Sequence, residues 1–93
     1  MTIDEQLQKV KNALGIAGTY QDETLKIYIE EVKQFIIAAG VSENTANSEK
    51  ATGIICRGVT DLWNYGAGSA ELSSYFKMRV SQLVLSEVKT NDN

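Results

Sequence analysis

One run of apolar positions constrains this chain more than any other feature. Leu25, Tyr28, Ile29, Val32, Phe35, Ile36 and Ala39 recur at steps of three and four. At 100° per residue they form a stripe roughly 120° wide, the signature of a helix with one face against a core. The spacing predicts a helix over 23–39, with Asp22 as its N-cap and Gly40 as its stop. No segment alternates apolar and polar residues long enough to make a strand, and no Pro interrupts any stretch.

The remaining segments follow the same period. Ile3, Leu7, Val10 and Leu14 share one face of a first helix over 3–14. Thr2 and Glu5 form a capping-box pattern at its start, and Gly15 is placed to end it. The polar stretch 41–47 has room for a single helical turn. A third helix is expected over 49–65, capped by Ser48, with Ala51, Ile54, Ile55, Gly58, Leu62 and Tyr65 inward. Gly58 lies on that apolar face, where it costs on the order of 1 kcal/mol in helix propensity relative to Ala. Close approach of another helix is the physical reason to keep it. Gly66, Ala67, Gly68 and Ser69 read as a flexible turn. Ser73 or Ser74 then caps a last helix over 75–88, with Phe76, Val80, Leu83 and Leu72 inward, and the polar tail 89–93 is expected to fray. The fold class is all-α: a single domain over 1–93, built as a compact bundle of about four helices with short connections.

Composition removes several function classes. There is no His, so no Ser-His-Asp triad, no Cys-His dyad and no imidazole metal ligand. The lone Cys56 can form neither an internal disulfide nor a multi-thiolate zinc site, and it weakly favours a reducing compartment. Lys and Arg total 9 against 12 for Asp and Glu, giving a net charge of −3. With a pI near 4.8, tight duplex binding through phosphates is disfavoured. The longest apolar run, 35–41, is far short of the roughly 20 residues of a membrane span, and the acidic start of the chain has no signal-peptide core. No membrane association is expected.

The polar residues do not converge on a reactive centre. Asp4-Glu5, Asp22-Glu23 and Glu30-Glu31 are adjacent pairs. Neighbours on a helix diverge by about 100°, and two of the pairs sit where a helix N-terminus favours negative charge. Arg57 and Asp61, four apart, fit a structural ion pair. Cys56 reads as a small half-buried hydrophobe. The Gly-containing turns lack the Lys-Ser/Thr ending of a phosphate loop. No catalytic residue, metal ligand or cofactor site is assigned.

Apolar residues outside the core stripes are more informative. Ile27 and Ile37 lie off the core face of the second helix, and Cys56 and Trp63 on a flank of the third. Met78 and Leu85 are two turns apart on the side of the last helix opposite Phe76 and Val80. Some can cover other helices of the same bundle. A domain of this size buries only roughly 60–65% of its unfolded surface, and small domains often gain stability from partner subunits. Ile27, Ile37, Trp63, Tyr65, Met78 and Leu85 are therefore the candidate subunit-interface residues.

An ordered set of segments carries a further signal. Val10 to Ile16 is followed by Asp22 to Leu25 and by Tyr28-Ile29 through Phe35. Next come Ile55-Cys56-Arg57-Gly58-Val59-Thr60-Asp61-Leu62-Trp63-Asn64-Tyr65-Gly66 and Ser74-Tyr75-Phe76-Lys77-Met78-Arg79-Val80-Ser81-Gln82-Leu83. This order resembles the small head-tail connector (adaptor) proteins of tailed bacteriophages and prophages, over roughly residues 7–85. The sequence departs from many relatives at the end of the first helix, where Gly15 and Ala17 replace Arg and Asp. The resemblance implies an all-helical, non-catalytic subunit of a ring, typically dodecameric, beneath the portal protein. Such a ring extends the DNA channel and receives a stopper or tail-completion protein. Double-stranded DNA passes without specific binding. The implied location is the head-tail junction of the virion, assembled in the cytoplasm of the bacterial host. Glu30 and Glu31, outside the core stripe, are candidate channel-wall residues, since an acidic wall makes no phosphate clamps.

Two other readings compete. A small helical DNA-binding regulator would need polar and basic residues at the start of a recognition helix, and 73–77 supplies little of that. An enzyme working with carboxylates alone would need a converging site, and the spacing offers none.

Overall fold

The computed structural model describes residues 1–65 and 72–91, with the side chains of Tyr65 and 88–91 set aside. Among the described residues, four long helices carry the architecture: α1 (Ile3–Leu14), α2 (Asp22–Ala38), α4 (Thr52–Tyr65) and α5 (Ser74–Asn91). A single-turn helix, α3 (Glu43–Ala46), and a 3-10 turn (Glu49–Ala51) bridge α2 to α4. Among the described residues there are no strands, and the fold is the all-α bundle expected.

Helix ends form where side-chain chemistry predicts them. The Thr2 hydroxyl accepts from the Glu5 amide at 3.2 Å, and the Glu5 carboxylate accepts from the Thr2 amide at 2.9 Å, completing the capping box. Gly15 and Gly40 both have positive φ, 73° and 120°. At each, the glycine amide and the next amide bond back to the last helical carbonyls, as Schellman motifs require. Ser73 rather than Ser74 caps α5, accepting from the Phe76 amide at 3.1 Å. Ser42 caps α3 by accepting from the Thr45 amide.

Four expectations need correction. Asp22 is not the N-cap of α2. Gln21 stands there without a side-chain bond, and Asp22 is drawn away by Lys11, whose ammonium lies 2.9 Å from it. That contact is an ion pair without hydrogen-bond alignment. The third long helix does not run unbroken from 49. Its first turn is 3-10, and the Ser48 hydroxyl donates to the Thr45 carbonyl instead of capping. Phe35 and Ala39, assigned to the core stripe of α2, are exposed at its edge, while Leu25, Ile29, Val32 and Ile36 are fully buried. The last helix also continues to Asn91, past its expected end at 88. The turn expected at 66–69 lies outside the described residues.

α4 is the central helix, packed against α1, α2 and α5. Its core face is Ile54, Ile55, Val59 and Leu62. Gly58 is buried in the middle of it. A Cβ there would stand 2.7 Å from Phe76 Cε1 and 2.8 Å from Val32 Cγ1. The missing side chain therefore admits α2 and α5 together, and Phe76 and Val32 are both fully buried as a result. Phe35 closes the seam between those two helices, with its ring 5.5 Å from that of Phe76.

Gly58→Ala should therefore destabilise the fold by up to about 2 kcal/mol, since an overpacking cost of about 1–3 kcal/mol outweighs the gain of about 1 kcal/mol in helix propensity. Gly53, in the same helix, has nothing within 4 Å of a built Cβ. Gly53→Ala should stabilise by up to about 1 kcal/mol. Urea denaturation of the two variants checks the contrast.

Candidate assembly surfaces

Polar groups tie the helices together at their seams. Lys33 is buried in α2, and its ammonium donates to Gln6 Oε1 of α1 at 3.2 Å. Gln6 passes the connection on, donating to the Ala46 carbonyl of α3 at 3.2 Å. Asp61 of α4 is also buried; it accepts from the Ser73 amide at 3.1 Å, and the Arg57 guanidinium lies 3.8 Å from it. This is the expected Arg57–Asp61 pair, with the added task of fixing the start of α5. Near the other end of α5, Glu87 accepts from both the amide and the hydroxyl of Ser42, each at 2.7 Å. Hydrogen bonding by the Thr45 and Ser42 hydroxyls and the Ser42 amide holds the Glu87 carboxyl below the usual glutamate range.

Cys56 is half-buried, and burial pushes its thiol up, partly offset by the charge of Lys9. Such a thiol is a poor nucleophile at neutral pH. Among the described residues, no group of three or more His, Cys, Asp or Glu side chains is placed to hold a metal ion. Among the described residues, no helix is long and apolar enough to cross a membrane.

The sequence-derived interface candidates separate into two kinds. Ile27 on α2 is 65% exposed, and on α5 Met78 and Leu85 are 49% and 66% exposed. Ile37 and Trp63 are instead half-buried against the core, and Trp63 meets the Tyr28 ring edge-on at 6.4 Å. The Tyr65 side chain lies outside the described residues. Glu30 and Glu31 are exposed on α2, and Glu30 reaches back to Lys33 at 3.4 Å.

One cluster escaped the sequence reading. Both arginines of the chain converge on Tyr75, with guanidinium carbons 5.5 Å (Arg57) and 5.9 Å (Arg79) from the ring centre. Arg79 also donates to the Tyr75 hydroxyl at 3.0 Å. The Tyr75–Arg79 spacing of four was a legible signal within α5. Arg57 was not, because it arrives from α4.

These surfaces belong to a chain whose residues 4–92 match the family described as "Phage gp6-like head-tail connector protein". The chain belongs to the phage head-tail connector family. Comparison with curated proteins and with solved structures finds no match. Connectors are non-catalytic virion parts, so what a connector does resides in its surfaces rather than in a reactive cleft. The exposed apolar residues of α2 and α5 and the Arg57–Tyr75–Arg79 cluster are accordingly the features of this connector to account for.

Two predictions follow from the ties that hold α5 in this connector. Asp61→Ala removes the acceptor for the Ser73 amide and the partner of Arg57, and should cost about 1–3 kcal/mol in chemical denaturation. Glu87→Gln should destabilise at neutral pH. Because the Glu87 carboxyl is lowered in the folded state, its contribution is complete above the ordinary glutamate range and is lost as pH falls through the folded value. The gap between wild type and Glu87→Gln should therefore close on acidification, which denaturation at a series of pH values reads directly.

Proposed function

We propose that this connector is a structural subunit of a ring beneath the portal protein, at the head-tail junction of the virion. The ring extends the DNA channel and receives the next neck or tail protein, a stopper or tail-completion protein. The family match over nearly the whole chain carries this reading. Surface chemistry supports it. A ring of identical subunits uses heterologous contacts, in which one patch meets a different patch on its neighbour. Exposed apolar residues on two separate helices, Ile27 on α2 and Met78 with Leu85 on α5, suit that arrangement. A dodecamer is the count the family resemblance implies.

The net charge of −3 suits a channel that lets DNA slide. We assign Glu31 to the channel wall: it is exposed and makes no ion pair among the described residues. Glu30, expected beside it on the wall, points about 100° away and is shared with Lys33.

The test is binding to the cognate portal ring, followed by pull-down and negative-stain imaging. The expected result is a ring of connector subunits on one end of the portal at micromolar concentrations. Absence of binding at those concentrations overturns the proposal. Solution mass alone does not decide it, because a template-dependent ring has monomeric subunits until the portal is present.

A further inference from the structure

The two exposed apolar patches have opposite charge surroundings. On α2, Ile27 projects between Glu23, four residues before it, and Glu30, three residues after it, all on the outward face. On α5, Met78 and Leu85 form an outward ridge one heptad long, about 10 Å. Lys77 lies on one flank of that ridge and Arg79 on the other, both immediate sequence neighbours of Met78. Tyr75 and Arg57 extend the Arg79 flank. The one acidic side chain described in α5, Glu87, faces away toward Ser42. Lys26, which flanks Ile27 as Lys77 flanks Met78, is taken by Asp4 of α1 at 3.4 Å, so one helix offers an apolar knob among carboxylates and the other an apolar ridge between cations.

From this complementarity we infer that the outward face of α2 in one copy of the chain docks on the outward face of α5 in the next. Ile27 seats beside Met78 and Leu85, Glu23 and Glu30 meet the cations of the ridge, and Arg79 is held ready by its bond to Tyr75. Neither the acidic face of α2 nor the basic face of α5 can pair with its own copy without setting like charges together. The contact is therefore head-to-tail, the kind that propagates to a ring or a filament. The inference rests on the ring reading above and names the contact that builds the ring.

Disulfide trapping tests it in the full-length chain. In a Cys56→Ser background, the chain carrying both Ile27→Cys and Met78→Cys should oxidise at high protein concentration to a ladder of covalent dimers, trimers and higher species. Either cysteine alone should remain largely monomeric. Adding Glu30→Arg should cut the ladder roughly ten-fold, and adding Arg79→Glu to that chain should restore it, as paired charge reversal across one contact requires. All the substituted side chains apart from Cys56 and Arg79 are exposed, and circular dichroism of each variant verifies the fold before trapping. Absence of a ladder, equal dimer yield from either single cysteine, or a ladder indifferent to Glu30→Arg overturns the inference. Binding of a short DNA duplex that Arg79→Glu abolishes, with no ladder, also overturns it and reassigns the cations to phosphate. Portal binding decides the ring reading separately: a variant chain that still decorates the portal but yields no ladder refutes the contact and leaves the ring standing.

Discussion

The bundle is organised around a side chain that is absent. Gly58 sits in the middle of the central helix, where Val32 of α2 and Phe76 of α5 both occupy the space a Cβ would need. Helices normally approach to 8–10 Å between axes, limited by the residues at the crossing. Removing the side chain at one position lets two helices use the same crossing. That crossing sets α2 and α5 close together on one side of α4. With Val32 and Phe76 turned inward, Ile27 and the Met78–Leu85 ridge are turned outward. The residues available for assembly are thus selected by a packing constraint in the interior.

Much of this could be read in the sequence, for definite reasons. The limits of α1 and the glycine stops at Gly15 and Gly40 come from local chemistry, and local chemistry is visible in a string of residues. Gly58 was conspicuous because a glycine in an apolar stripe is costly unless another helix comes close. The side chains that escaped are the ones whose role depends on distant partners. Gln6, Lys11, Lys33 and Asp61 are buried, yet a hydrophobicity pattern assigns polar residues to the surface. Their partners lie on other elements, as Gln6 and Ala46 do for the path that starts at Lys33. Val59 was missed for a related reason. It is fully buried because α4 is covered on more than one side, so a single stripe understates its core face. Phe35 shows the reverse error: it keeps the period of α2, but it lies at the edge of the stripe and stays partly exposed while closing on Phe76.

The candidate surfaces were legible to a similar degree. Ile27, Met78 and Leu85, picked out as apolar residues off the stripe, are exposed in the fold. The same criterion picked out Ile37 and Trp63, which are half-buried against the core of the same bundle. Periodicity along one helix cannot tell a neighbour in the same chain from a neighbour in another. The charge context of the exposed residues, and the convergence of two helices on Tyr75, needed the fold.

The way α5 is attached has a mechanical consequence. Its start is held to α4 through Asp61 and Ser73 and by Phe76 against Gly58, its middle is seated in the core by Val80 and Leu83, and Glu87 near its end grips Ser42 at the head of α3. A rod fastened at one end only would swing when loaded on its outer side. A rod fastened at both ends and propped in the middle transmits that load to its supports. A push on the Met78–Leu85 ridge is thereby delivered to α4 and to the α2–α3 corner. The outward face of α5 is a stiff platform, and strain applied to it is shared by the whole subunit.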